Sequence, residues 1–203
     1  MFAYCGNNPV IYTDPAGTIF RQAFAASCYD RGGSLCDYVI YYFHPESSEN
    51  LDGPATQNHK ATNSKLMPVG SFDELVDALN NIPCSIDDIY IYLHSNEDYL
   101  SFYYANYYNA MDIANNLVET PISGEIYLFS CKGGRGELAS SMSVATNRTV
   151  VASVYKVSFG DGFARCGWKD YFWYSLGYSK YSWYSYYPDG SKKATSIYRV
   201  FTE

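Results

Sequence analysis

The chain has 203 residues, 47% of them hydrophobic and 17% charged, enough for one domain with a sizeable core and too apolar for a disordered segment. Its net charge is −7 and no basic run stands out, which sets it against phosphate backbones and anionic membrane surfaces. No apolar run is long enough to span a bilayer, and no charged start followed by an apolar core marks a signal peptide.

AYCGNNPVIYTDPAG, residues 3–17, is loop chemistry, because Asn7-Asn8-Pro9 and Asp14-Pro15-Ala16-Gly17 both favour turns. The stretch resembles the end of the conserved core of Rhs/YD-repeat proteins, where a Tyr, an Asn-Asn-Pro and an Asp-Pro-x-Gly recur in this order. The resemblance covers about the first seventeen residues. It implies that residues 1–17 are the core junction and residues 18–203 the toxin payload of a longer polymorphic protein, with Met1 an artificial start. It also implies an upstream Rhs core, cleaved near this junction by an aspartyl activity, with Asp14 on the motif's Asp. A cognate immunity protein in the producer, and secretion or delivery into a target cell, follow from the same resemblance.

Residues 34–44, SLCDYVIYYFH, are rich in β-branched and aromatic side chains and read as a buried strand. Residues 45–65 are polar, contain Gly and Pro, and read as a loop. Ser71-Phe72-Asp73-Glu74 is a capping box, followed by Leu75, Ala78 and Leu79 at helical spacing. A second strand is expected over 86–94, a short strand or hairpin around Tyr103-Tyr104, and a helix over 111–118. A strand over 126–131, a helix over 136–146 and a fourth strand over 149–153 complete the series. Alternating strands and helices argue for an α/β fold with a mostly parallel sheet flanked by helices, whose site lies at the carboxyl ends of the strands. Residues 18–153 form this unit. Residues 154–203 alternate aromatic with small or polar residues and read as a Tyr-rich β-subdomain of antiparallel strands extending it, with Pro188-Asp189-Gly190 a turn.

Two of the expected strands finish on chemistry-bearing residues, His94 and Cys131. A cysteine nucleophile needs a base and an oxyanion hole. Cys131 is followed by Gly133, Gly134 and Gly136, whose backbone can approach a substrate closely, and by a helix whose N-terminal dipole would favour thiolate. Lys132 and Arg135 add positive potential, and His94 is the histidine placed to act as base. The other cysteines (Cys5, Cys28, Cys36, Cys84 and Cys166) form no CxxC pair. They read as mostly free thiols, with neither a zinc site nor any other metal or cofactor expected.

DDIYIYLHSNEDYLSF followed by SGEIYLFSCKGGRGELASSMSVATNRTVVAS resembles the caspase/legumain/gingipain group of cysteine peptidases, above all bacterial caspase-like domains. Their pattern is an apolar strand with His-Gly, then Gly-(Asp/Glu)-strand-x-Cys, a helix and Thr-Gly-x-x-Val-Ala-Ser. The likeness spans roughly residues 34–162. It implies a caspase-like fold with Cys131 as nucleophile and His94 as general base or acid, hydrolysing peptide bonds through an acyl-enzyme. The backbone N–H groups of Cys131 and Ser95 would form the oxyanion hole. Ser95 stands where the pattern has Gly, which narrows the approach, and Asn147-Arg148 stands where it has Thr-Gly. Asp161, between glycines after the fourth strand, is the candidate for receiving a basic substrate side chain. Two other readings stand beside this one. The first is a catalytically silent binding module on the same fold. The second is a metal-dependent nuclease built on His44 and His59 with Glu46, Glu49 and Asp52.

Overall fold

A computed structural model describes residues 36–62, 64–82, 86–160, 163–166 and 183–195. The junction at 1–17 and Asp161 lie outside the described residues. Strand β1 (Cys36–Tyr42) leads to helix α1 (Asp52–Thr62), strand β2 (Lys65–Val69), helix α2 (Phe72–Asn80) and strand β3 (Ile86–Tyr92). A small sheet of β4 (His94–Ser95), β5 (Tyr99–Phe102) and β6 (Asn106–Asn109) follows, and then helix α3 (Ala110–Asn116). Strand β7 (Ile126–Phe129), helix α4 (Leu138–Thr146) and strand β8 (Val150–Ser153) complete the expected alternation. Strands β9 (Val157–Gly160), β10 (Phe163–Cys166), β11 (Trp183–Tyr186) and β12 (Lys192–Thr195) come last.

The main sheet has seven strands in the order β12-β11-β8-β7-β3-β1-β2. From β8 to β2 all neighbours are parallel, and β11 and β12 are antiparallel. This is the mixed α/β, mostly parallel sheet flanked by helices that the alternation of elements predicts. Its central strands read as unbroken apolar runs because both faces are covered. Ile89, Ile91, Ile126 and Leu128 are fully buried, and so, nearly, are Tyr90, Tyr92, Tyr127 and Phe129 between them. Register pairs Tyr90 with Tyr127 and Tyr92 with Phe129. Their rings stand 5.1 and 4.9 Å apart, so the tyrosines of these strands are core.

Three expectations change. The stretch read as a loop over 45–65 contains α1. Pro54 hid it, yet a proline in the first turn removes only an N–H that has no intrahelical partner. The helix is held by Leu51 and Ala55 in the core and by buried Asn58, whose amide donates to Tyr92 Oη at 2.7 Å. The capping box at Ser71 is present in altered form: Ser71 Oγ accepts from Glu74 N–H at 3.2 Å, while the Glu74 carboxylate reaches back to Gly70 N–H at 2.7 Å. The Tyr-rich stretch is antiparallel where it is described, but β11 pairs with β8 and so lengthens the main sheet. Trp183 packs edge-on against Phe129 at 5.7 Å, which explains why this hairpin adds to the sheet's edge.

The amino ends of β3 and β7 carry a cluster of carboxylates. Asp88 accepts from Glu125 N–H at 2.6 Å. Burial, reinforced by the charges of Asp37, Asp87 and Glu125 and opposed by that hydrogen bond, raises its pKa to about 6. A carboxyl with a higher pKa in the folded than in the unfolded chain contributes its stabilisation fully below the unfolded value of about 4, and loses it as pH rises through about 6. Denaturant titrations are therefore expected to lose about 1–2 kcal/mol from this group between pH 4 and 7, discounted for its half-buried position. Asp88→Asn keeps an oxygen for Glu125 N–H and should remove that part of the pH dependence. An unchanged pH–stability curve in the variant would sink the assignment.

Candidate active site

Strand β3 ends at Tyr92 and β7 at Phe129, and these residues are register partners. Leu93 N–H continues the ladder to Phe129 O at 3.3 Å. Two residues further along each chain come His94 and Cys131, so parallel pairing carries both to the same carboxyl edge of the sheet. A hydrogen bond ties the two ends: Ser95 Oγ donates to Cys131 O at 2.6 Å.

The imidazole is fixed by groups other than Cys131. His94 Nε2 lies 2.6 Å from Glu49 O. A carbonyl oxygen only accepts, so Nε2 carries the hydrogen of this bond and Nδ1 is left as the other ring nitrogen. The ring also packs edge-on against Tyr42, with centroids 5.3 Å apart. His94 is thus held at one nitrogen and unengaged among the described residues at the other.

Cys131 opens a tight turn over residues 131–135. Lys132 takes a left-handed conformation, φ 57°, which costs a side-chain-bearing residue about 1 kcal/mol and is compensated by Lys132 N–H donating to Tyr155 O at 2.8 Å. Gly134 N–H donates to Ser153 O at 2.8 Å, and Tyr186 Oη donates to Gly134 O. A Cβ at Gly134 would stand 2.9 Å from Tyr186 Oη and 3.0 Å from Ala152 O, so only glycine lets the turn seat this closely on β8 and β11. The half-buried thiol donates to Val157 O at 3.6 Å and not to His94.

The two expected oxyanion donors differ in how much the structure says of them. Cys131 N–H makes no hydrogen bond among the described residues. Asn96 N–H bonds Tyr99 O at 3.0 Å, so in the alternating antiparallel ladder Ser95 and Leu100 are the pair without mutual hydrogen bonds. Ser95 N–H therefore points away from β5. Two structural facts bear on the electrostatic arguments from sequence. Helix α4 begins at Leu138, after the turn, and its first turn bonds back to that turn through Ala139 N–H to Gly133 O at 3.2 Å. Arg135 pairs with Glu97 at 2.9 Å, both side chains being exposed. The departure at Asn147 has a local cause: Asn147 is the left-handed C-cap of α4, φ 53°, a position Asn tolerates nearly as well as Gly.

The alternative set does not converge. His44 stacks on Tyr103 at 4.0 Å, Glu46 accepts from the Tyr103 and Tyr104 hydroxyls at 3.3 and 3.4 Å, and His59 bonds Ser64 O at 2.6 Å. Among the described residues no three His, Cys, Asp or Glu side chains gather as a metal site requires. What sequence reasoning missed is the backbone oxygen of Glu49, because any residue supplies a carbonyl and only the fold says which one meets His94. Compared with known proteins, the chain matches no protein-family model and no curated sequence.

Proposed function

We propose that this domain is a caspase-like cysteine endopeptidase acting as the toxin payload of an Rhs-type protein. The observation that carries the reading is the His94 Nε2–Glu49 O bond of 2.6 Å, at a strand end level with Cys131. It leaves Nδ1 free to take a proton from the thiol. In this mechanism substrate entry turns Cys131 Sγ away from Val157 O and toward His94, which removes the proton. The thiolate adds to the scissile carbonyl, and the oxyanion is received by the N–H groups of Cys131 and Ser95. His94 gives its proton to the leaving amine, a thioester remains on Cys131, and water activated by His94 releases the acid. The substrate is a protein or peptide in the target cell, and Asp161 is the residue proposed to hold a basic side chain. The upstream Rhs core and an immunity protein are the partners proposed with it.

The direct test is to express residues 18–203 in bacteria, follow growth, and identify new protein N-termini by mass spectrometry. Growth arrest with new N-termini, both absent in Cys131→Ala, is the expected result. Arrest that persists in Cys131→Ala would remove the peptidase reading and favour a binding module on the same scaffold.

A further inference from the structure

The loop that carries Glu49 O joins β1 to α1 and has no regular structure of its own, yet it must hold one oxygen against His94. Leu51 N–H closes its base on Tyr42 O at 3.0 Å. Inside the loop a single side chain, that of Asn50, makes three of the cross-links. Asn50 Oδ1 accepts from His44 N–H at 2.8 Å, and Asn50 Nδ2 donates to His44 O and to Ser47 O, both at 3.1 Å. One amide thus ties the loop's beginning, middle and end. Three local links complete the frame, Ser47 N–H to His44 O at 3.0 Å, Glu49 N–H to Ser47 Oγ at 3.1 Å and Glu46 N–H to His44 Nδ1 at 3.3 Å. Glu49 sits between Ser47 and Asn50, both tied by those bonds, and its own N–H is tied to Ser47. The outer side of the loop is anchored by His44 stacked on Tyr103 and by the two tyrosine hydroxyls on Glu46.

From this geometry we infer that Asn50 is a positioning residue for the reaction, holding Glu49 O in place so that His94 keeps its proton on Nε2 and its lone pair on Nδ1. Asn50 touches no reacting atom; it acts through the loop and the histidine. The amide is suited to this because it accepts at one oxygen and donates twice from one nitrogen. Asp lacks the two donors and would set a carboxylate against two carbonyl oxygens. The inference rests on the peptidase reading for its effect on turnover, but its effect on His94 is observable without turnover.

The test uses the full chain labelled with 15N-histidine. It contains three histidines, so His94→Ala assigns the signal that matters. In the parent, His94 should show a protonated Nε2 and an unprotonated Nδ1. In Asn50→Ala and Asn50→Asp those two shifts should move toward the average of a tautomer mixture. Peptide hydrolysis should fall about 10–100-fold in kcat, the range for outer partners that orient a functional imidazole, with KM changed less than about twofold. Asn58→Ala, which loses the buried bond to Tyr92, is the comparison for a purely structural asparagine, expected to lower stability and leave the His94 shifts alone. Should Asn50→Ala not fold, Asn50→Asp carries the test. Unchanged His94 shifts in the folded Asn50 variants would overturn the inference. Altered shifts in a protein whose parent cleaves no peptide would keep the positioning role and remove the peptidase reading.

Discussion

Cys131→Ala and His94→Ala are each expected to reduce peptide hydrolysis at least about 10³-fold, and the double variant no further than the worse of the two. In the proposed reaction nucleophile and base act as a unit, so removing either forfeits the acyl-enzyme route and leaves nothing for the other to contribute. The fold should survive both changes. The thiol's bond to Val157 O is a long one of 3.6 Å, and the imidazole contributes one edge contact with Tyr42 and one hydrogen bond at the surface. Together these are worth on the order of 1 kcal/mol. Kinetics on the three proteins, beside thermal melts that confirm equal folding, decide the matter. Additive losses, with the double variant far below either single, would show two groups working independently and would break the dyad. Full activity in His94→Ala would mean that the thiol finds its base elsewhere.

The parts of this molecule that could be read from sequence are those where side chains themselves impose the structure. Residues 86–94 and 126–131 announced two buried strands because Ile89, Ile91, Ile126 and Leu128 alternate with aromatics that are buried too. Parallel pairing of such strands leaves little choice but to bring His94 and Cys131 to one edge. Ser71 announced α2 through its cap. Helix α1 was hidden because its stability comes from tertiary contacts of Leu51, Ala55 and Asn58, while its own composition is polar and interrupted at Gly53-Pro54. The fate of the Tyr-rich stretch was hidden for a related reason. Alternation reveals a strand, but not whether its neighbour is another strand of the same stretch or β8 of the main sheet. The backbone acceptor that meets His94 was illegible. Glu49 drew attention as a carboxylate for a metal, whereas its carbonyl meets His94. Asn50 has no motif at all, and its part follows only from three hydrogen bonds within one loop.

Gly136→Ala is expected to cost about 1–3 kcal/mol of stability, the range for overpacking a close contact, and to lower activity more than its distance from Cys131 suggests. Gly136 has no positive φ that would demand glycine; the demand is for space. An added Cβ would collide with Glu97 O, a backbone atom in the turn between β4 and β5, with Glu97 C at 3.1 Å behind it. A flexible side chain could swing aside, but this carbonyl belongs to a turn pinned by Asn96 Oδ1, which accepts from Asp98 N–H and Tyr99 N–H at 2.8 Å each. The two turns must therefore separate. One follows His94-Ser95 and the other follows Cys131, so their separation strains the Ser95 Oγ–Cys131 O bond and spreads the two oxyanion donors. The Arg135–Glu97 ion pair spans the same gap but is exposed, so Arg135→Ala should cost no more than about 1 kcal/mol. Comparing the two variants by denaturant titration and kinetics separates close backbone contact from charge. If Arg135→Ala proves the more damaging, the catalytic turns are held by electrostatics and the steric account is wrong. If Gly136→Ala loses both stability and activity while Arg135→Ala keeps them, the approach of one backbone to the other sets the spacing between Ser95 and Cys131.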